Sequence, residues 1–286
     1  MLTVSAPAKL NMTLEVLGKR QDGYHEIRSV VQAVNLCDRL RFRLSDVTEF
    51  RCDMPGWVPE KSLVSKATDL LRETTGCPSG VIIDVEKRIP LMSGLGGDSS
   101  DAAAVLRGLS RLWKLDLPQE RLLELAGQLG SDVAFFLHGG TALIEGRGEI
   151  ATALPPLPDT WVVLVLPAVP REPGKTRRAY ARLEASDYTD GQITERLLAV
   201  LKTGGEFTPS LLFNVFERIA FASPSEIDGY RRQMMSAGAN DVHLAGSGPA
   251  LFTLVKERPA AKGLYDHLQQ QGTETYLAQT LPRDTC

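Results

Sequence analysis

The stretch Pro90–Ala103, P-L-M-S-G-L-G-G-D-S-S-D-A-A, leaves this chain the fewest choices of fold. Ahead of it Val81, Ile83 and Val85 alternate with Ile82, Asp84 and Glu86, the period-two pattern of a strand. Behind it Ala102, Val105, Leu106, Leu109 and Trp113 fall within an arc of roughly 100° on a helical wheel, the width of a core-facing stripe. Asp98 or Ser99 is the natural N-cap of that helix, because a short side-chain oxygen can accept from an unpaired N–H of the first turn. Gly94, Gly96 and Gly97 stand just before it, where bare backbone can approach a ligand. Backbone N–H donors and the positive end of a helix dipole then converge on one point, which suits a phosphate. A tight turn with no ligand is the competing reading, and Ser99-Ser100-Asp101 behind the glycines favours the phosphate.

Two common phosphate loops fail on specific residues. A P-loop requires G-x-x-x-x-G-K-[ST], and no lysine lies between Gly94 and Arg107. A dinucleotide fingerprint counted from Gly94 needs a third glycine where Ser99 stands. What remains is P-x-x-x-G-L-G-x-x-S-S-x-A-A.

The rest of the chain narrows the partners. A length of 286 residues suits one large or two modest domains, and a net charge of −3 gives no footprint for nucleic acid or an anionic membrane. No apolar run reaches membrane-spanning length and no signal or transit peptide opens the chain, so a cytoplasmic protein acting on small molecules is expected, as a monomer or weak homodimer. The four cysteines (Cys37, Cys52, Cys77 and Cys286) show neither metal nor redox spacing and read as reduced thiols; the four histidines are dispersed.

In chain order, Leu10–Leu17 alternates as a half-buried strand, with Lys9 and Asn11 on its wet face. The turn Gln21-Asp22-Gly23 presents Tyr24 and His25, and strands follow at Val30–Asn35 and across Leu40, Phe42 and Leu44. Helices are expected at Ser62–Thr75, ending at Gly76, and at Pro118–Leu129. Asp132 precedes the apolar run Val133–Leu137, an unusual address for a carboxylate unless it caps a short helix. Gly139–Glu149 reads as a strand and a tight turn. Pro155, Pro156 and Pro158 mark a boundary between domains 1–154 and 155–286. Beyond it come strand Trp161–Leu166, helix Lys175–Leu183, helices Ile193–Lys202, Leu211–Phe221 and Ser225–Ala237, and a strand–glycine–strand unit around Ala245–Pro249. Helix Ala260–Gln271 and strand Thr275–Leu281 close an α+β architecture.

The glycine stretch resembles the second motif of the GHMP kinase superfamily. A-P-A-K-L-N (6–11), D-G-Y-H (22–25), S-D-V-A-F-F-L (131–137), G-G-T-A-L-I-E-G-R-G-E (139–149) and A-G-S-G-P-A (245–250) run in family order across almost the whole chain. The D-G-Y-H and G-R-G-E stretches resemble the branch whose acceptor is a cytidine diphosphate polyol. The resemblance implies a ribosomal-protein-S5-like N-terminal domain, a ferredoxin-like C-terminal α/β sandwich and an active site between them. It implies transfer of the ATP γ-phosphate to the polyol 2-hydroxyl with Mg²⁺ required, its metal ligands unspecified. Lys9 and Asp132 match the catalytic pair, and Pro90, Leu91, Met92, Ser93, Gly94, Leu95, Gly96, Gly97, Asp98, Ser99 and Ser100 match the ATP loop. Asn11, Tyr24, His25, Tyr180, Gly246 and Ser247 match the acceptor side, with Tyr24 and Tyr180 expected to sandwich the cytosine. Asp98 and Met92-Ser93 depart from the family, which has smaller residues there. A homoserine, mevalonate-type or sugar kinase is the alternative, and a non-catalytic nucleotide-binding protein a further one.

Overall fold

A computed structural model describes residues 1–222 and 225–283. β1 (Leu2–Asn11) and β2 (Thr13–Lys19), parted by a bend at Met12, lead into β3 (His25–Ser45), one strand of 21 residues where the alternation predicts two. β3 carries the break within itself, as two extra residues, Asn35 and Leu36, that have no partner on β1. β1 runs antiparallel to β3 with a register shift between Pro7 and Ala8, opposite Cys37 and Val34. Such a bulge bends a pair without ending it and re-aims the side chains beyond it.

That bulge decides what the first strands do. Val4 and Ala6 pack with the N-terminal helices, whereas Ala8, Leu10 and Met12 pack with Val162, Leu164 and Phe252 of the second sheet. Leu14 and Val16, past the bend, return to the first cluster. Covered on both sides, Lys9 is 7% and Asn11 6% exposed, not on a wet face as the alternation predicts.

β4 (Glu49–Cys52), α1 (Leu63–Thr75) and β5 (Gly80–Glu86) come next. α1 is closed by two local signals: Ser62 Oγ accepts the Ser65 N–H at 3.3 Å, and Gly76 at φ 65° ends the last turn. Ser62→Ala is expected to lower stability by about 1 kcal/mol, the usual cost of losing a cap, read as a lower urea midpoint at constant m. An unchanged midpoint would show that Ser62 contributes nothing to the cap.

α2 (Gly97–Leu112) then crosses the sheet, followed by α3 (Gln119–Leu129) and α4 (Val133–His138). Sequence periodicity predicts one buried stripe on α2; instead Ser100–Leu106 and Gly108–Ser110 are all buried, because α1, α3 and α4 pack around it. Its N-cap is Gly96 at φ 75°, not Asp98 or Ser99, which lie inside the first turn. Trp113 sits at the other end as the half-buried C-cap. β6 (Thr141–Gly146) and the unanticipated β7 (Ile150–Ala153) complete this part of the first, eight-stranded sheet.

After the extended segment 154–160 come β8 (Trp161–Val165), α5 (Lys175–Ala181) and α6 (Gln192–Thr203). The helix predicted at Leu211–Phe221 is instead β9 (Phe213–Asn214) followed by α7 (Glu217–Ala220). β9 pairs in parallel with β2, and that ladder overrides the local helical pattern. α8 (Glu226–Ser236), β10 (His243–Leu244), β11 (Leu251–Val255), α9 (Arg258–Gln270) and β12 (Thr275–Gln279) finish the chain. The second sheet, in order β10-β11-β8-β12, is antiparallel throughout. The fold is α+β. Among the described residues no helix is long and apolar enough to cross a membrane. Cys52 and Cys77 are free thiols, Cys37 is half-buried on β3, and Cys286 lies outside the described residues.

Candidate active site

The end of β1, the glycine loop and the start of α4 meet at one cavity. Lys9, Asn11, Pro90, Leu91, Met92, Ser93, Gly94, Gly96, Gly97, Asp98, Ser99, Asp132, Tyr180, Gly246 and Ser247 line it, all of them residues singled out by sequence. Leu95 and Ser100 do not: each is 1% exposed, with Leu95 in the core and Ser100 on the covered side of α2. The Leu95 carbonyl nonetheless accepts the Lys9 N–H at 2.9 Å, so the strand and the loop are tied through main chain.

Lys9 is held from behind. Its ammonium donates to Asn11 Oδ1 at 2.8 Å, Asn11 Nδ2 donates to Ser29 Oγ at 2.8 Å, and Ser29 Oγ donates to the Thr13 carbonyl. The remaining face of the ammonium looks at Asp132 Oδ2, 3.6 Å away. Asp132 occupies the N-cap position of α4 but makes no capping bond, so its carboxylate stays free on the cavity side, 46% exposed. Position at a helix start and availability for chemistry therefore coexist.

The glycine loop is wedged between the two sheets. Gly94 (φ 92°) lies so close to Ala245 that a Cβ would stand 2.1 Å from its carbonyl oxygen. Gly96 fits between the Phe136 ring and the Lys9 stem, with a Cβ only 2.9 and 3.0 Å from them. The opposing loop 245–248 is pinned by Asn214, whose Nδ2 donates to the Leu244 and Gly246 carbonyls at 2.8 Å each. Ser93 is also tied across, its carbonyl accepting the Ala250 N–H at 3.0 Å. Met92 adopts φ 53°, a left-handed conformation that glycine would reach without strain.

Beneath the helix start sits a charge cluster that sequence reasoning missed. The Lys87 side chain is fully buried, donating to Asp38 at 2.6 Å and Asp101 at 2.8 Å, with Asp98 3.7 Å away. Burial works against the Lys87 charge, but the Asp101 and Asp38 carboxylates outweigh it and push its pKa up. Burial drives the Asp101 carboxyl well above the ordinary range despite Lys87. Asp38 Oδ1 also accepts the Ile89 N–H at 2.7 Å, which fixes the entry to the loop. Only position in space links these residues, so no local motif announces them.

On the acceptor side Tyr180 lies against His25, ring centroids 5.1 Å apart and planes 26° from parallel, with Phe216 edge-on at 4.9 Å. Burial first, and Asp132 second, raise the Tyr180 pKa; burial lowers that of His25. Tyr24 stands outside the cavity lining, 54% exposed at its turn, with the Arg147 guanidinium 5.0 Å over its ring. The ring facing Tyr180 in this structure is thus His25, and Tyr24 would reach Tyr180 only by leaving Arg147. Leu14, Ile27, Lys87, Thr176 and Phe216 also line the cavity and were not singled out by sequence.

Comparison with known proteins adds independent findings. The models for the GHMP kinase N-terminal domain and the GHMP kinase C-terminal domain match residues 62–140 and 200–274. A 4-diphosphocytidyl-2-C-methyl-D-erythritol kinase of Dehalococcoides mccartyi is 49% identical over 281 residues, 98% of this chain and 99% of that protein. The kinase of the same name from Listeria welshimeri is 36% identical, covering 97% and 96%. A crystal structure of 4-(cytidine 5'-diphospho)-2C-methyl-D-erythritol kinase superposes with a TM-score of 0.83 at 33% identity, covering 98% and 99%. Homoserine kinase from Cytophaga hutchinsonii superposes at 0.75 with 21% identity, covering 98% and 95%, a likeness of fold alone.

Proposed function

Since this chain belongs to the GHMP kinases, we propose that it transfers the γ-phosphate of ATP to the 2-hydroxyl of 4-diphosphocytidyl-2-C-methyl-D-erythritol. The observation that carries this reading is the Lys9–Asp132 pair, 3.6 Å apart and facing the glycine loop across one cavity. Phosphoryl transfer asks a protein mainly for positioning and charge neutralisation. The loop's backbone N–H groups and the N-terminus of α2 receive the ATP phosphates. Asp132 accepts the proton of the acceptor hydroxyl. Lys9, fixed by Asn11, offers positive charge beside Asp132 and the transferring group.

Mg²⁺ fits the donor set. Asp98, Ser99 and Asp132 on the cavity wall present hard oxygen atoms, the ligand type this ion takes. Among the described residues no group of three or more His, Cys, Asp or Glu could hold a metal alone, so phosphate oxygens would complete its shell. When bound, the ion neutralises charge on the phosphates.

The cytosine belongs at Tyr180, which lines the cavity with the catalytic pair and on which a flat ring can stack once the His25 ring against it moves aside. Stacking a base on an aromatic ring contributes about 1–3 kcal/mol. Tyr180→Ala is therefore expected to raise KM for the cytidine substrate roughly 5- to 150-fold, with KM for ATP little changed. Equal losses for both substrates would assign Tyr180 to the fold. The reading as a whole is tested by coupled ADP release with the cytidine diphosphate polyol set against homoserine, mevalonate and galactose. Turnover confined to one of the last three would replace it.

A further inference from the structure

We propose that Lys175 is a phosphate-binding cation of the active site, acting at the seam between α5 and the 245–248 loop; this rests on the kinase reading above. Lys175 opens α5, and its ammonium makes no hydrogen bond or ion pair among the described residues. Its side chain is nevertheless turned inward, with Nζ 3.4 Å from where a Cβ on Gly248 would stand. Burial draws its ammonium down to about 8, and no carboxylate lies near enough to oppose that shift. A surface lysine ordinarily keeps its head in water, so an inward ammonium without a counter-charge calls for an anion that arrives later.

The surroundings suit a phosphate. Next along α5, the Thr176 hydroxyl meets the Ser247 hydroxyl at 2.9 Å, and both line the cavity that holds Lys9 and Asp132. Lys175 and Ser247 also line a second hollow on the far side of the same seam, with Arg178 and Arg182 as further cations. Arg178 is engaged by Glu172 at 3.0 Å, and of the two remaining cations Lys175 is the one whose ammonium lies against the loop. Gly248 (φ 77°) in turn lies against Gly94, where a Cβ would stand 3.1 Å from the Gly248 N atom. An ammonium and two hydroxyls make a donor set that a phosphate recruits.

Two phosphates could use it. In the kinase reading the nucleotide phosphates would lie on the Gly94 side of the seam, and the acceptor's diphosphate near Tyr180 on α5. Calorimetric titration of wild type, Lys175→Met and Lys175→Arg with ATP against adenosine, and with CDP against cytidine, separates them. The Met variant is expected to lose about 10- to 100-fold in one phosphate-dependent ratio, the size of a charge-assisted contact, and the Arg variant to keep most of it. A fall in the CDP-to-cytidine ratio assigns Lys175 to the acceptor, a fall in ATP-to-adenosine to the nucleotide. Both ratios unchanged in a Met variant with wild-type Tm would overturn the proposal, as would a wild type whose affinities gain nothing from phosphates. Failure of the kinase reading would show separately, as no ADP release with the cytidine polyol, while these ratios still report on Lys175.

Discussion

Replacing Asp132 by asparagine is expected to lower kcat by about 10²- to 10⁴-fold, the contribution of a positioned general base, while ATP affinity stays within about twofold. On the barrier this is about 3–5 kcal/mol. The substitution is nearly isosteric and the side chain makes no capping bond, so α4 keeps its start and the fold its stability. What is lost is the ability to take a proton and the charge opposite Lys9. Lys9 itself remains anchored by Asn11 at 2.8 Å, so the cavity does not collapse around a stray ammonium. Steady-state turnover with the cytidine substrate gives kcat, and calorimetry gives ATP affinity. A variant retaining more than about a tenth of wild-type kcat would remove Asp132 from the base role. A parallel fall in ATP affinity would instead place it on the nucleotide.

How much of this site could be read from the sequence depends on how local its cause is. The glycine loop was legible because positive φ and close approach both demand glycine, and Gly94 and Gly96 adopt φ 92° and 75°. The cap of α1 was legible because Ser62 and Gly76 act on their own helix. The burial of Lys9 and Asn11 was not: it follows from a bulge at Pro7/Ala8 that alternation cannot show, and from a second sheet contributed by residues far along the chain. The Lys87–Asp38–Asp101 cluster joins three separate elements, and each residue alone looks like an ordinary surface charge. The hold of Asn214 on the 245–248 loop was hidden for a related reason, since its segment reads as helix until β2 recruits it as a strand. The aromatic side was half legible. The turn at Asp22-Gly23 correctly presents two rings, but which of them meets Tyr180 is set by strand register and by Arg147, and the ring that does is His25.

The glycine loop supplies the second large effect, through a comparison of two of its glycines. Gly94→Ala is expected to destabilise the protein by about 2–4 kcal/mol and to weaken ATP binding at least tenfold, because two costs add. At φ 92° an L-residue is strained before any contact is counted. Its methyl would also stand 2.1 Å from the Ala245 carbonyl oxygen and 3.1 Å from the Gly248 backbone. Those are backbone atoms, with no flexible end to swing aside. Nor can the loop they belong to drift freely, since Ala245 O accepts the Gly248 N–H at 2.8 Å and Asn214 holds the Leu244 and Gly246 carbonyls. Relief must come from the glycine loop itself, which moves the donors aimed at the phosphates. Gly97→Ala is the control. Its backbone is ordinary helix, and its methyl would meet side-chain atoms, Ile89 at 3.0 Å and the Lys87 ammonium at 3.2 Å, with no backbone strain to add. Thermal melts and ATP titrations of the two variants should therefore diverge, with Gly97→Ala losing less than Gly94→Ala in both. If Gly94→Ala matched wild type in both, the loop would not hold the conformation that makes it a phosphate cradle. If the two glycines lost equally, crowding at the helix start rather than backbone strain would be what the loop cannot tolerate.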